Sequence, residues 1–163
     1  MYKKIMVPLD GSELAECVIP HVKEFIKGCR VVSIALVRVI ESVPTRFSEI
    51  TPMGGESLNK LVEGNRKIER ERKASAADYL NKLAEGLKRE GVEIITTVLT
   101  GDVADNLADY ADTQGVDLIL IATHGRSGIS RWIRGSVADR VLRFARVPVL
   151  MVRAPGTIGE HKE

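Results

Sequence analysis

The sequence predicts an α/β fold, a doubly wound parallel sheet with helices on both faces. Strand-like and helix-like segments alternate along the chain, which is the pattern of repeated βαβ units. Three helical segments in succession also end in glycine before the next strand-like run, at Gly28, Gly91 and Gly115. Glycine readily adopts the left-handed conformation that commonly ends a helix. Together these patterns favour a parallel sheet with right-handed crossovers.

The chain predicts five strands, at Ile5–Leu9, Val31–Ile40, Val92–Leu99, Val116–Thr123 and Val147–Val152. It predicts four helices, from Asp10 to Gly28, from Asn65 to Glu90, from Asp102 to Gln114, and from Ser136 onward. Proline cannot donate to a strand ladder, so Pro8 marks the end of the first strand. Residues 41–64 carry proline and glycine without a sustained period, which predicts a loop insertion and a candidate lid. We expect one domain over residues 1–153 and a flexible C-terminal tail over 154–163.

The composition and charge of the chain argue against several classes of protein. Of 163 residues, 44% are hydrophobic and 28% charged, as in ordinary globular domains. The 24 basic and 22 acidic residues are well mixed and give a net charge of +2, so no nucleic-acid partner is expected. Cys17 and Cys29 form neither a Cys-x-x-Cys pair nor a zinc set. With no signal-peptide pattern and no membrane-length apolar run, we expect a cytoplasmic protein with no membrane partner.

A glycine-containing loop follows the fourth predicted strand. It has Gly125, Gly128 and Gly135, and a helical pattern resumes at Ser136. Glycine lets a backbone approach an anion closely, and the first N–H groups of a helix bind phosphate. The loop matches neither the P-loop nor the Gly-x-Gly-x-x-Gly fingerprint. It therefore indicates either a phosphate site or a plain turn in which Ser136 caps the helix with Asp139.

Four separated segments resemble the universal stress protein family. They are Pro8-Leu9-Asp10, Val39, His124-Gly125 with Gly135-Ser136 beyond it, and Val147-Pro148-Val149-Leu150-Met151-Val152. The resemblance runs from about Ile5 to Arg153. Nucleotide-binding members carry Gly-x-x-Gly, nine further residues, and then Gly followed by Ser or Thr. This chain keeps that spacing but has Ala122 in place of the first glycine, which adds a methyl group where the backbone and the nucleotide approach each other.

The resemblance implies a Rossmann-like sheet of the adenine nucleotide alpha hydrolase type, with strand order 3-2-1-4-5. The order would reverse between the strands ending at Leu9 and Ala122, and ligands of such sheets bind beyond the strands' carboxyl ends at that switch point. It also implies ATP, AMP or ADP as the ligand. The implied binding residues are Pro8, Leu9, Asp10, Val39, Ala122, His124, Gly125, Arg126, Gly128, Gly135, Ser136 and Val137.

The same resemblance divides these residues between the two ends of the nucleotide. Adenine and ribose would contact Pro8, Asp10 and Val39, and Gly125 would contact the ribose. The phosphates would contact Gly128, Gly135, Ser136 and Val137.

Charged residues at the implied site have more than one interpretation. The carboxylate of Asp10 would repel a triphosphate, so it would bind ribose, adenine or Mg²⁺. Its alternative role is to cap the next helix, with Glu13 in the capping-box position. His124 and Arg126 could contact phosphate oxygens, or they could be solvated surface residues.

The last predicted strand is apolar, and exposed apolar edges are normally covered or paired. The resemblance implies a homodimer joined through Pro148–Val152, and the alternative is an edge covered by the C-terminal tail. We therefore expect an ATP-binding, stress-responsive regulatory module. At most slow hydrolysis is expected, because no general base or paired nucleophile is evident and no catalytic residue is assigned.

Two other functions stay open on the sequence. The first is a nucleotide-free, dimeric interaction protein. The second is an ATP-pyrophosphate-splitting or adenylating enzyme, but such enzymes typically carry Ser-Gly-Gly-x-Asp-Ser after the first strand, where this chain has Asp10-Gly11-Ser12-Glu13.

Overall fold

The computed structural model describes residues 2–42, 55–88, 91–123 and 137–154. Its centre is a five-stranded, all-parallel sheet of order β3-β2-β1-β4-β5, which confirms the predicted fold class and strand order. The strands are β1 (Lys4–Pro8), β2 (Ser33–Ile40), β3 (Glu93–Thr100), β4 (Leu118–Thr123) and β5 (Val149–Arg153).

The helices between the strands are α1 (Ile19–Gly28), α2 (Gly55–Leu87), α3 (Val103–Thr113) and α4 (Val137–Phe144), and a 3₁₀ helix, Ala15–Val18, leads into α1. Gly91 and Gly115 have φ values of +83° and +62°, as expected for residues that end helical segments. Gly28 ends α1 as predicted, but it does not have the positive φ of a left-handed cap. It is the last residue of α1, and extended Cys29 caps the helix. No helix in the described ranges has the length and hydropathy needed to cross a membrane.

Each face of the sheet carries its own apolar core. On one face, Ile5, Val7, Ile34 and Leu36 pack with the 3₁₀ helix, α1 and α2. On the other face lie Met6, Ala35, Val37, Ile119 and Ile121, which pack with α3 and α4. Side chains of successive strand residues point to opposite faces, so strands buried on both faces need continuous apolar runs. The runs Ile5–Val7 and Ile34–Val37 meet that requirement.

Helix α2 begins ten residues before the predicted start at Asn65. Residues 55–64 of the predicted loop insertion are therefore helical, and the rest of that loop beyond residue 42 lies outside the described residues. Gly64 was interpreted as a break, but one glycine costs a helix only about 1 kcal/mol relative to alanine. A helix of 33 residues tolerates that cost where flanking residues favour helix.

The length of α2 places part of it beyond the sheet. At 1.5 Å per residue it is about 50 Å long, whereas an eight-residue strand spans about 26 Å. Among the α2 side chains that the structure describes, the buried ones, Ala76, Leu80, Ala84 and Leu87, all lie in the second half of the helix. No side chain from Lys60 to Ser75 is buried. Since α2 runs from the end of β2 back to the start of β3, its first part stands at the carboxyl edge of the sheet.

Candidate functional site

The sheet opens between β1 and β4, at the point where the strand order reverses. β1 pairs with β2 along its whole length, from Lys4 to Pro8. Within the described strands it pairs with β4 at only two positions, Ile5 and Met6. Beyond Met6 the carboxyl ends of β1 and β4 are therefore no longer joined by paired residues. This is the crevice in which doubly wound sheets bind their ligands.

The turn after β1 fixes the side chain of Asp10. Its Oδ1 atom accepts hydrogen bonds from the Ser12 backbone N–H at 2.8 Å and from the Ser12 hydroxyl at 2.6 Å. Ser12 Oγ in turn accepts from the backbone N–H of Ala15 at 3.1 Å. The alternative that Asp10 caps the next helix with Glu13 is wrong. Among the described residues, the Asp10 carboxylate bonds only to Ser12 within a local turn, and it is the Ser12 hydroxyl that accepts from Ala15, the first residue of the 3₁₀ helix.

Asp10 is ionised at neutral pH. Partial burial opposes its ionisation, but the hydrogen bonds from Ser12 and the positive charge of Arg38 outweigh burial and lower the pKa of Asp10 below its ordinary value of 3.8. No hydrogen bond from another residue of the described chain reaches Oδ2. The carboxylate therefore offers a charged acceptor atom at the mouth of the crevice.

Arg38 lies beside this turn, near the end of β2. Its guanidinium carbon is 5.3 Å from the centre of the Tyr79 ring in α2, which is a cation–π contact. The same group lies against Gly11, where φ is +89°. A β-carbon at Gly11 would come within 2.8–2.9 Å of three guanidinium atoms. Arg38 thus joins the β1–α1 turn to α2.

The hydroxyl of Tyr79 is buried, and Glu16 is the acidic residue that interacts with it most strongly. Burial raises the pKa of Tyr79 well above its ordinary value, and the negative charge of Glu16 raises it further. The phenol is consequently neutral, so its ring faces Arg38 as an uncharged aromatic surface.

A cleft of about 560 Å³ opens beside Asp10 and Arg38. Its walls come from the carboxyl edge of the sheet and from the projecting part of α2: Asp10, Arg38, Val39, Ile40, Glu41, Ile68, Glu71, Arg72 and Ser75. Small-molecule sites typically measure 300–1,000 Å³ and combine apolar walls with a few polar groups. The cleft has the size and mixed lining of such a site.

Two of the predicted site residues, Asp10 and Val39, lie together in this cleft. Pro8 and Leu9, which precede Asp10, are buried and do not line the cleft, and the Leu9 N–H donates to the Val37 carbonyl at 2.9 Å. Ala122 lies near the end of β4, paired with Val152 of β5, and is not among the residues that line the cleft.

Val137 is the first residue of α4, exposed, and likewise outside the cleft lining. The remaining predicted site residues lie outside the described residues: His124, Gly125, Arg126, Gly128, Gly135 and Ser136.

Comparison with known proteins identifies the relatives of this chain. The model of the universal stress protein family matches residues 1–153. The chain belongs to the universal stress protein family. It is 31% identical over 159 residues to universal stress protein MJ0577 of Methanocaldococcus jannaschii, an alignment that covers 94% of this chain and 96% of that protein. The solved structure of MJ0577 superposes with a TM-score of 0.75 at 25% identity, over 96% of this chain and 99% of the other.

More distant family members share the fold. A universal stress protein in complex with cAMP superposes with a TM-score of 0.62 at 20% identity, over 93% of this chain and 97% of the other. An Arabidopsis thaliana family protein with AMP bound gives a TM-score of 0.58 at 17% identity, over 94% and 93% of the two chains. The doubly wound sheet is thus common to members with very different sequences.

Sequence reasoning missed Arg38, Tyr79 and the α2 wall of the cleft. A signal for Arg38 was present, because it is the one charged residue in the apolar run from Val31 to Ile40. No comparable signal marks Glu71, Arg72 or Ser75, which lie in a helix with charge all along its length. In the described chain no group of three or more His, Cys, Asp or Glu residues is arranged to hold a metal ion.

Proposed function

We propose that this family member binds ATP, or AMP or ADP, at the carboxyl edge of the sheet and acts as a nucleotide-dependent regulatory module. The base and ribose would occupy the cleft beside Asp10 and Val39. The phosphates would extend toward the segment from Ala122 to Val137, where the chain keeps most of the family's signature. The proposal includes a cytoplasmic location and a homodimer joined along β5.

The observation that carries the proposal is the cleft at the carboxyl edge of the sheet, which Asp10 lines where the chain leaves β1 beside the switch point. An ionised carboxylate that keeps one oxygen free suits the hydroxyl groups of a ribose, since each hydroxyl can donate to it. The family members with cAMP and AMP bound support an adenine nucleotide as the class of ligand.

Regulation rather than rapid catalysis is proposed on chemical grounds. In the described part of the cleft the ionisable side chains are Asp10, Arg38, Glu41, Glu71 and Arg72, none of them a histidine or cysteine. Of these, Asp10 has a lowered pKa, which makes it a weaker general base. Slow hydrolysis would then rely on the bound cation and water.

Mg²⁺ belongs to the proposal as the counter-ion of the triphosphate. Protein sites for this ion commonly supply one or two carboxylates, and substrate phosphates and water complete the octahedron. Asp10 could supply one such ligand, as the alternative to its contact with the ribose. Titration of ATP with and without EDTA measures the contribution of the cation to the affinity.

The proposal is tested with purified protein and the double variant Gly135→Val, Ser136→Ala. The branched side chain would block the approach of a phosphate to the backbone, and the serine change removes a hydroxyl donor. We expect adenine nucleotide to be released on denaturation of the wild type, and ATP to raise its melting temperature. The double variant should bind ATP at least about tenfold more weakly, the loss expected for a charge-assisted contact worth about 1.4 kcal/mol or more.

Gly86→Ala is the matched control, because Gly86 lies exposed near the far end of α2 with open space around it. It should bind ATP as the wild type does. A wild type that releases no nucleotide and shows no ATP-dependent stabilisation would instead favour the nucleotide-free interaction protein, consistent with Ala122 at the first signature position. Release of pyrophosphate from ATP would favour the adenylating enzyme.

A further inference from the structure

We propose that Arg38 is a positioning residue that sets the preference of the site for nucleotides with free ribose hydroxyls. It would do so by holding the turn that carries Asp10. This inference rests on the proposed nucleotide function and adds a determinant of ligand specificity to it.

The first support is the way Arg38 packs against the turn. A β-carbon at Gly11 would lie 2.8 Å from Nη1 and 2.9 Å from both Cζ and Nη2. Nearly equal distances to three atoms of one planar group mean that Gly11 faces the guanidinium plane rather than its edge. The flat face of Arg38 therefore lies directly against the backbone residue that follows Asp10.

The second support is the anchoring of Arg38 itself. Its guanidinium lies over the Tyr79 ring, and the next residue of α2, Leu80, is fully buried in the core. Strand β2 holds its backbone, since Arg38 is paired with Val98 of β3. Arg38 makes no hydrogen bond or ion pair with the described residues, so it acts on the turn through packing and charge.

The third support is the state of the Asp10 carboxylate. Both donors from Ser12 converge on Oδ1, which orients the group and leaves Oδ2 to the cleft. The positive charge of Arg38 stabilises the ionised form. Neighbouring 2′- and 3′-hydroxyls of a ribose supply two O–H donors to such a carboxylate, whereas a dideoxyribose supplies none. Loss of Arg38 would leave the turn free to move and would weaken this recognition.

Arg38 combines a positive charge with a flat face, and neither lysine nor methionine reproduces both properties. A lysine would keep the positive charge but has no flat face to lie against Gly11 and Tyr79. A methionine would keep some of the apolar contact and lose the charge. The two substitutions therefore separate packing from charge.

The experiment measures the affinities of ATP and 2′,3′-dideoxy-ATP for the wild type, Arg38→Met and Arg38→Lys by isothermal titration calorimetry. The wild type should prefer ATP by at least about tenfold, as expected for hydrogen bonds to a charged group. Arg38→Met should reduce that preference to about threefold or less while dideoxy-ATP binds as before. Arg38→Lys should give an intermediate preference, and it carries the test if the methionine variant does not fold.

Two controls make the result specific. Arg30→Met makes the same chemical change at an exposed arginine that precedes β2, and it should leave the preference intact. Asp10→Asn should abolish most of the preference, and adding Arg38→Met to it should cause little further loss. Such non-additivity is expected when one residue acts through another.

The inference is overturned if Arg38→Met weakens both nucleotides equally, because Arg38 would then act on another part of the ligand or on the fold. It is also overturned if the preference is unchanged in Arg38→Met, or if the wild type binds both nucleotides equally well. A wild type that binds neither nucleotide contradicts the proposed function itself, so the two failures are distinguishable.

Discussion

Gly11 is under two separate constraints, one from its backbone and one from its neighbour. Its φ of +89° is a conformation that residues with a side chain rarely adopt, and Arg38 occupies the space that a β-carbon would need. The first constraint acts through the turn alone, whereas the second links the turn to β2. A substitution at Gly11 therefore disturbs both the local backbone and the position of Arg38.

We predict that Gly11→Ala lowers the free energy of unfolding by roughly 1–2 kcal/mol, because alanine is strained at positive φ and its methyl group displaces Arg38. The matched control is Gly86→Ala, which should raise the stability by roughly 0.5–1 kcal/mol because Gly86 lies in an exposed helix with no atom in the way. Urea denaturation of the three proteins measures both values. Equal effects at the two positions would contradict the description of the Gly11 turn.

Local sequence was enough to predict the residues of the site that lie at the end of β1. Pro8 ends β1 because proline lacks an N–H, and the acidic residue after it stands at the crevice of a doubly wound sheet. Arg38 was harder to interpret. A charged residue in a buried strand is noticeable, but its contacts with Gly11 and Tyr79 depend on how the β1–α1 turn, β2 and α2 pack together. Tyr79 lies 41 residues after Arg38 in the chain, so only the packing of the folded protein brings the two side chains together.

Helices α3 and α4 are joined by a charged contact at the edge of the sheet that holds the site. Arg140 of α4 donates to both carboxylate oxygens of Asp102, at 3.0 and 2.9 Å, and also approaches Asp105 at 3.4 Å. Asp102 is in addition the N-cap of α3, because its side chain accepts from the Asp105 N–H at 3.1 Å. The Asp102 carboxylate thus caps the N-terminus of α3 and also pairs with Arg140 in the first half of α4.

We predict a graded loss of thermal stability at this position. Asp102→Asn keeps an N-cap acceptor but loses the ion pair, whereas Asp102→Ala loses both, so the melting temperature should fall in the order wild type, asparagine variant, alanine variant. Asp109→Asn is the matched control on an exposed position of α3 and should have little effect. An alanine variant as stable as the wild type would show that the contact does not support α4.

The difference in stability between the wild type and Asp102→Asn should also depend on pH, and it should decrease at acidic pH. Hydrogen bonds from Arg140 lower the pKa of Asp102 in the folded protein below 3.8. A lowered pKa stabilises the fold above the unfolded-state value and loses that contribution as the pH falls through the folded-state value. The difference between wild type and Asp102→Asn should therefore be complete at pH 7 and should shrink below pH 3.8.

Element boundaries were predictable to within a few residues except for the starts of α1 and α2. Helix α1 begins at Ile19, after a 3₁₀ helix that starts at Ala15, and not at Asp10 as predicted. Strand ends and glycine stops are local signals, and β1, β3 and α3 lie within one residue or two of their predicted bounds. The first turns of α2 carry Gly55 and Gly64, whose low helix propensity concealed the helical segment. That error did not affect the cleft wall, because Ile68, Glu71, Arg72 and Ser75 lie within the predicted helix; the packing of α2 against the sheet edge is what local sequence could not predict.

The strand order of the whole molecule came from the family resemblance rather than from any pattern in the residues. Alternating strands and helices predict a parallel sheet, but many strand orders satisfy the same alternation. The order is set by which strands pair, and every strand here is apolar enough to pair with any other. Positions distant in sequence, such as Lys3 and Asp117, meet only once that choice is made: the Lys3 N–H donates to Asp117 at 2.8 Å.

The edge of β5 that faces away from β4 supports the proposed homodimer. β5 pairs with β4 on one side, and within the described chain no strand pairs with its other side. Leu150 and Met151 are each 41% exposed on this strand. An apolar edge strand with unpaired backbone groups tends to associate with another edge, and a second copy of the chain presents the same one.

We predict that the wild type is a dimer in solution and that Leu150→Lys converts it to a monomer, because a charge at the centre of a paired edge would be buried without a partner. Leu61→Lys is the matched control: it makes the same change at a leucine that is 47% exposed in the projecting part of α2, and it should remain a dimer. Size-exclusion chromatography with light scattering distinguishes the two states. A monomeric wild type would contradict the homodimer. A dimer that survives Leu150→Lys but not Leu61→Lys would place the interface on the helical side of the cleft instead of on β5.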